Sequence, residues 1–195
     1  MKKLILVALV SVFSTVAFAQ ESTFGIKAGV NFAKITGDDL EDASGRTGFH
    51  VGAIAEFPLS EQFSIQPEAV YSQQGLEYDD FGFDIKLKLD YINIPVMAKY
   101  YFTTTRDLAV EFGPQIGILM NAKGEADGEE ADVKDSFKGS DISIGGGLSY
   151  QMETGWFAQA RYMFGISDIN DTDDENTFGD NFTNSVLSIS IGYRF

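Results

Sequence analysis

This sequence predicts an all-β fold, an eight-stranded antiparallel up-and-down transmembrane β-barrel, and three observations carry that expectation. Apolar residues alternate with small or polar ones at period two along eight segments. The links between the segments alternate between short and long. Most large apolar side chains fall on one parity, while Gly, Ser and a few charges dominate the other, so a closed sheet would turn its apolar face outward. Only lipid tolerates such a surface.

The clearest segment is Asn184 to Phe195, where Leu187, Ile189, Ile191, Tyr193 and Phe195 oppose Ser188, Ser190, Gly192 and Arg194. An apolar strand with an open edge invites aggregation unless it is paired. Pairing it with the first strand closes the barrel. In chain order the other segments are Thr23 to Ala33, Gly48 to Phe57, Gln62 to about Gln74, Lys88 to Phe102, Asp107 to Asn121, Asp141 to Met152 and Trp156 to Ile166. Each is close to the length a tilted strand needs to cross a bilayer.

Tight links, Pro58 to Glu61, Thr103 to Arg106 and Glu153 to Gly155, join segments two to three, four to five and six to seven. Long acidic loops are expected at Lys34 to Thr47, Gly75 to Leu87, Ala122 to Ser140 and Ser167 to Thr183. Short turns on one rim and long loops on the other is the outer-membrane pattern, with the short side periplasmic. A soluble barrel of lipocalin type also alternates, with reversed polarity. Its exterior would have to be built from Gly, Ser and Ala, and the aromatics that recur at the strand ends fit an interfacial girdle better.

Length and composition agree with one domain: 195 residues, 20 Gly, 17 Phe, 8 Tyr and a formal charge of −15. The absence of cysteine excludes disulfides, thiol catalysis and Cys-type zinc sites, and leaves the redox compartment undetermined. Residues 1–19 read as a secretory signal peptide. Lys2 and Lys3 form its positive start, Leu4 to Val16 its apolar core, and Ala17-Phe18-Ala19 a cleavage site between Ala19 and Gln20. A membrane anchor is the alternative, but the run is shorter than the roughly 20 residues a spanning helix needs. The barrel domain would then be residues 20–195.

Five stretches, FSIQPEAVYSQQG (Phe63 to Gly75), LDYINIPVMAKYYF (Leu89 to Phe102), FGPQIGILMNAK (Phe112 to Lys123), GWFAQARYMFGISDI (Gly155 to Ile169) and ISIGYRF (Ile189 to Phe195), resemble the outer-membrane β-barrel domain family of Bacteroidetes, whose members are called porin family or PorT-like. The resemblance implies an outer-membrane barrel of OmpA or OmpX architecture in a Gram-negative cell. The last strand resembles the signal read by the barrel-assembly machinery, with Tyr193 and Phe195 as its aromatics. Ser190 stands where that signal usually has glycine.

An eight-stranded barrel is narrow enough for side chains to fill. The inward parity supplies Lys27, Glu56, Glu68, Lys99, Glu111, Arg161 and Arg194, all nearer the short turns. They are expected at one level, as an ion-pair network or as separate charges in a watery lumen. Unpaired charges in so narrow a space would be costly. Pro67, Pro95 and Pro114 interrupt three successive strands, as curvature or as a seam for lateral opening.

The expected loops carry most of the acid: Asp38, Asp39, Glu41 and Asp42; Asp79, Asp80 and Asp84; Glu125, Asp127, Glu129, Glu130, Asp132 and Asp135; Asp168, Asp171, Asp173, Asp174, Glu175 and Asp180. Such clusters can hold Ca²⁺, but Asn176 stands where an EF-hand needs glycine, so solvated loops are the expectation and no metal or other cofactor is. Nucleic acid is disfavoured as a partner. His50, the one histidine, sits on the inward parity with no nucleophile motif beside it.

The chain is therefore expected to be a non-enzymatic outer-membrane protein with a structural or surface-interaction role through its loops. Its expected partners are outer-membrane lipid, lipopolysaccharide and the assembly machinery. A narrow channel is the second reading, and the PorT-like resemblance implies a third, a part in a secretion apparatus.

Overall fold

The structure, a computed structural model, describes residues 22–36, 44–80, 83–103, 105–126, 129–170 and 182–195. The signal-peptide reading, with Ala19 and Gln20, lies outside them, as do Asp38, Asp39, Glu41, Asp42, Asp127 and the acids from Asp171 to Asp180.

Eight antiparallel strands close a barrel: β1 (Thr23–Thr36), β2 (Ser44–Pro58), β3 (Phe63–Asp80), β4 (Phe83–Tyr101), β5 (Leu108–Ala126), β7 (Ser140–Gln151), β8 (Trp156–Gly165) and β9 (Thr183–Arg194). Each pairs with its neighbours, and the pairing of β1 with β9 joins the ends of the sheet. A four-residue strand, β6 (Glu129–Asp132), lies outside this ring and pairs only with the far end of β5.

Period-two alternation decides which face each residue takes. Ile26, Phe112, Leu148, Phe164, Ile189 and Ile191 stand outward and exposed, while Lys27, Glu111, Gln159 and Ser190 are buried inside. Rings pack around the short-turn rim, Trp156 on Tyr193 and Tyr193 on Phe195, with Phe63 on Tyr100 and Tyr100 on Phe102. Amphipathic aromatics of this kind suit the membrane–water interface. The turn before β8 needs Gly155, whose φ of 90° is costly for any residue with a Cβ.

Two expected loops are largely strand. The segment Gly75 to Leu87 continues β3 and β4 in unbroken register from Gly75 opposite Lys88 to Asp80 opposite Phe83. In the sequence, Leu76, Ile85 and Leu87 keep the alternation going, which the acidic content of the segment concealed. The segment Ala122 to Ser140 likewise contains the end of β5, all of β6 and a 3-10 turn at Lys134–Ser136. At Met120 a bulge shifts the register, since Asp90 faces Asn121 while Tyr91 faces Leu119. One extra residue reverses the parity, so Ala122 points inward where simple alternation would turn it out. The strands β3 to β6 therefore extend as a ribbon beyond the long-loop rim.

The ladder between β4 and β5 is interrupted between Pro95 opposite Gln115 and Ala98 opposite Phe112, the stretch that holds Pro114. Pro114 has no N–H to donate, so the gap follows from its chemistry.

The long-loop end of the lumen is closed by apolar side chains. Ile35, Leu89, Tyr91, Leu119, Ala122 and Ile169 form a buried cluster, with Leu76, Leu87, Val133, Phe137 and Phe182 packed on it. Leu89→Ala is expected to lower stability by about 2–5 kcal/mol, because the cavity lies inside a closed barrel where lipid cannot fill it. Denaturant titration of the micelle-bound protein measures this.

Candidate functional site

The inward charges gather at two levels. The deeper one joins β1, β3, β5 and β8. Arg161 reaches Glu68 through Nη2 at 2.7 Å and Glu111 through Nε at 2.6 Å, and Lys27 Nζ lies 2.7 Å from Glu68. Gln159 completes this level by accepting from Lys27 and donating to Glu111, both at 3.0 Å. Two cations meet two carboxylates, so the group is neutral.

The level nearer the short turns is built around Glu56. Its carboxylate accepts from the Tyr101 hydroxyl at 2.6 Å and from Ser64 at 2.7 Å. Arg194 and Arg106 approach to 2.8 Å and Lys99 to 3.8 Å. Three cations here share one carboxylate. Gln66 ties the levels together, accepting from Lys99 and Arg194 and donating to Glu68.

All seven charged residues named from the sequence thus lie in the lumen, in two groups where one level was expected. Arg106 is the member that alternation could not supply. It belongs to the β4–β5 turn, has a positive φ of 57°, and folds its guanidinium over the Tyr101 ring at 4.2 Å. Parity says nothing about where a turn residue points.

Above the deeper level lies a neutral polar layer. His50 Nδ1 is 2.8 Å from Asn31 Oδ1, and His50 Nε2 is 2.8 Å from Ser190 Oγ. Asn31 donates through Nδ2 to the Gln73 carbonyl, which only accepts, so its Oδ1 faces His50 and the imidazole proton sits on Nδ1. Gly29 leaves room for this ring; a Cβ there would lie 2.8 Å from His50 Cε1. A serine, a histidine and an orienting amide in line is an arrangement that nucleophilic enzymes use. Here it is sealed in. Ser190 is 4% exposed, and the adjoining cavity of about 30 Å³ has room for about one water and no substrate.

The apolar lid above is clipped by the loops. Ile169, fully buried, enters from the β8–β9 connection. Lys138 donates its backbone N–H to the Ile169 carbonyl at 2.9 Å, and the Ile169 N–H reaches the Phe182 carbonyl at 2.9 Å. Asp168 holds the clip, accepting from Lys138 Nζ at 2.7 Å and from the backbone N–H groups of Asn170 and Phe182.

Acidic residues on the ribbon are similarly engaged. Lys88 pairs with Glu125 and with Glu130, and Lys123 with Glu130 at 2.7 Å. Hydrogen bonds from Lys123 and Lys88 bring the Glu130 carboxyl down to about 2. Among the described residues no group of three or more His, Asp or Glu side chains is placed to hold a metal ion.

The sequence profile of the outer membrane protein beta-barrel domain family matches residues 18–171. The chain belongs to that family. Solved structures share the fold of this family member at low identity. Ail, the attachment invasion locus protein of Yersinia pestis, is 14% identical with a TM-score of 0.56. Neisserial surface protein A is 18% identical at 0.53, and a major outer membrane protein of Thermus thermophilus is 12% identical at 0.54. Each alignment covers 90% of this chain and 100% of the other. No curated protein matched the sequence.

The two ends of this outer-membrane barrel give separate expectations. Glu56→Gln leaves three cations around a neutral amide and should cost about 3–5 kcal/mol of stability in denaturant titration. For Asp168, burial acts to raise the carboxyl pKa, but the hydrogen bonds from Lys138, Asn170 and Phe182 outweigh it and hold the group below its ordinary 3.8. A depressed carboxylate stabilises the folded clip above the ordinary pKa and loses that contribution as pH falls through the lowered value. Hydrogen-exchange protection of the Lys138 and Ile169 amides should therefore hold from pH 7 to about 4 and decline below 3.8.

Proposed function

We propose that this outer-membrane protein has a non-enzymatic structural and surface-interaction role, carried by the ribbon of β3, β4, β5 and β6 and the loops beside it. The observation that carries this reading is the filled lumen. Charged side chains cross it at two levels, and an apolar lid closes its outer end. A water-filled path of the kind a porin uses has no room beside these groups. The ribbon offers what the lumen lacks, a sheet cross-braced by Lys88, Lys123, Glu125 and Glu130. One Ail structure holds a heparin analogue, sucrose octasulfate. The acidic ribbon here disfavours so anionic a ligand and suits basic or neutral partners.

Export by residues 1–19 with cleavage after Ala19, insertion through Tyr193 and Phe195 by the assembly machinery, and contact with lipopolysaccharide around the rim belong to the same proposal. A PorT-like part in secretion rests on the motif resemblance, and co-purification from crosslinked membranes tests it.

Planar-bilayer recording tests the main reading. The purified barrel should give no steady conductance steps at neutral pH, and replacing the ribbon beyond Gly75 and Leu87 by a short turn should leave heat-modifiable gel mobility intact. Regular, ion-selective steps from the intact protein would overturn the structural reading in favour of a channel.

A further inference from the structure

The lumen opens on the short-turn side into a vestibule of about 620 Å³ lined by Glu56, Arg106, Gln151, Glu153, Arg194 and Phe195 among others. Its size falls in the range of small-molecule sites. Its floor carries an imbalance of charge. Lys99, Arg106 and Arg194 surround the single carboxylate of Glu56, while the deeper ionic level is neutral and has nothing to lend. Glu153 also borders the vestibule, but it is exposed and makes no ion pair with a described residue. Water and salt screen exposed charge far more than buried charge, so the rim does not neutralise the floor.

A second observation is independent of this count. Glu56 Oε2 is held by Arg194 at 2.8 Å, but among the described residues Arg194 Nε and Gln151 Oε1 are buried without a hydrogen-bond partner, and both belong to residues lining this vestibule. Glu56 is 2% exposed, and the Arg194 side chain is 10% exposed. Buried polar groups in folded proteins are nearly always partnered, so these two atoms, a donor and an acceptor at one mouth, mark a place for a ligand with polar atoms.

We propose that the vestibule binds a small oxyanion from the periplasmic side, held by the guanidinium groups of Arg106 and Arg194. Guanidinium forks match the oxygens of phosphate and carboxylate. Hydrogenphosphate fits best of the simple oxyanions: its two charges match the excess on the floor, and its hydroxyl can donate to the Gln151 acceptor. The ionic levels beneath close the floor, so the site retains its anion without conducting it.

The test is the thermal unfolding midpoint of the refolded full barrel in a zwitterionic detergent, titrated with sodium phosphate at pH 7.5 and constant ionic strength set by sodium chloride. A ligand that binds only the folded state raises the midpoint saturably. Sodium phosphate should do so, sodium acetate should do so with lower affinity, and Arg106→Gln should weaken phosphate binding at least tenfold. Glu153→Gln, on the exposed rim, should fold normally and bind phosphate at least as tightly as the parent. If phosphate acts no differently from chloride, or if Arg106→Gln folds with heat-modifiable mobility and binds phosphate unchanged, the vestibule is not an oxyanion site.

Discussion

The pairing of Arg161 with Glu68 and Glu111 is the constraint on which the interior depends. An eight-stranded barrel leaves too little space for charged groups to keep full hydration shells, and a buried ion without a partner costs several kcal/mol. The interior is therefore workable only if the ions satisfy one another. Arg161 does this across three strands, and Lys27 and Gln159 take up the remaining carboxylate oxygens. These contacts link residues up to 132 positions apart, so they brace the cylinder across its diameter as the backbone ladders brace its wall.

The two ends solve the same problem differently. Near the short turns the lumen is charged and opens into a wet vestibule. At the outer end it turns dry, with Leu89, Tyr91, Leu119 and Ile169 in contact under a clip made by Asp168. His50 and its partners lie between, neutral and sealed. A molecule at the long-loop end meets ribbon and lid, and one at the short-turn end meets Arg106 and Arg194 around the single carboxylate of Glu56.

How much of this was legible follows from what period-two alternation encodes. It assigns a face to every residue of a regular strand, so the outward set and the inward Lys27, Glu56, Glu68, Lys99, Glu111, Arg161 and Arg194 could be named from the chain alone. It fails where regularity fails. The bulge at Met120 shifts parity by one and directs Ala122 into the lid. Acidic residues between Gly75 and Leu87 look like a solvated loop until cross-strand pairing is known. Arg106 and Ile169 reach the interior from connections, where no periodicity says which way a side chain turns. Spacing along each strand points the charges toward the short-turn half of the barrel, but strand tilt and stagger decide which of them share a level.

The most direct test of this account is a double-mutant cycle between Arg161 and Glu68, with Arg161→Met, Glu68→Gln and the double variant unfolded by denaturant in the same micelles. Direct bonds at 2.7 Å and 3.0 Å in a closed lumen predict a coupling energy of about 2 kcal/mol or more, with the double variant more stable than the sum of the single losses implies. A coupling near zero would mean that the two charges sit apart in a hydrated pore, and the filled-lumen account would be wrong.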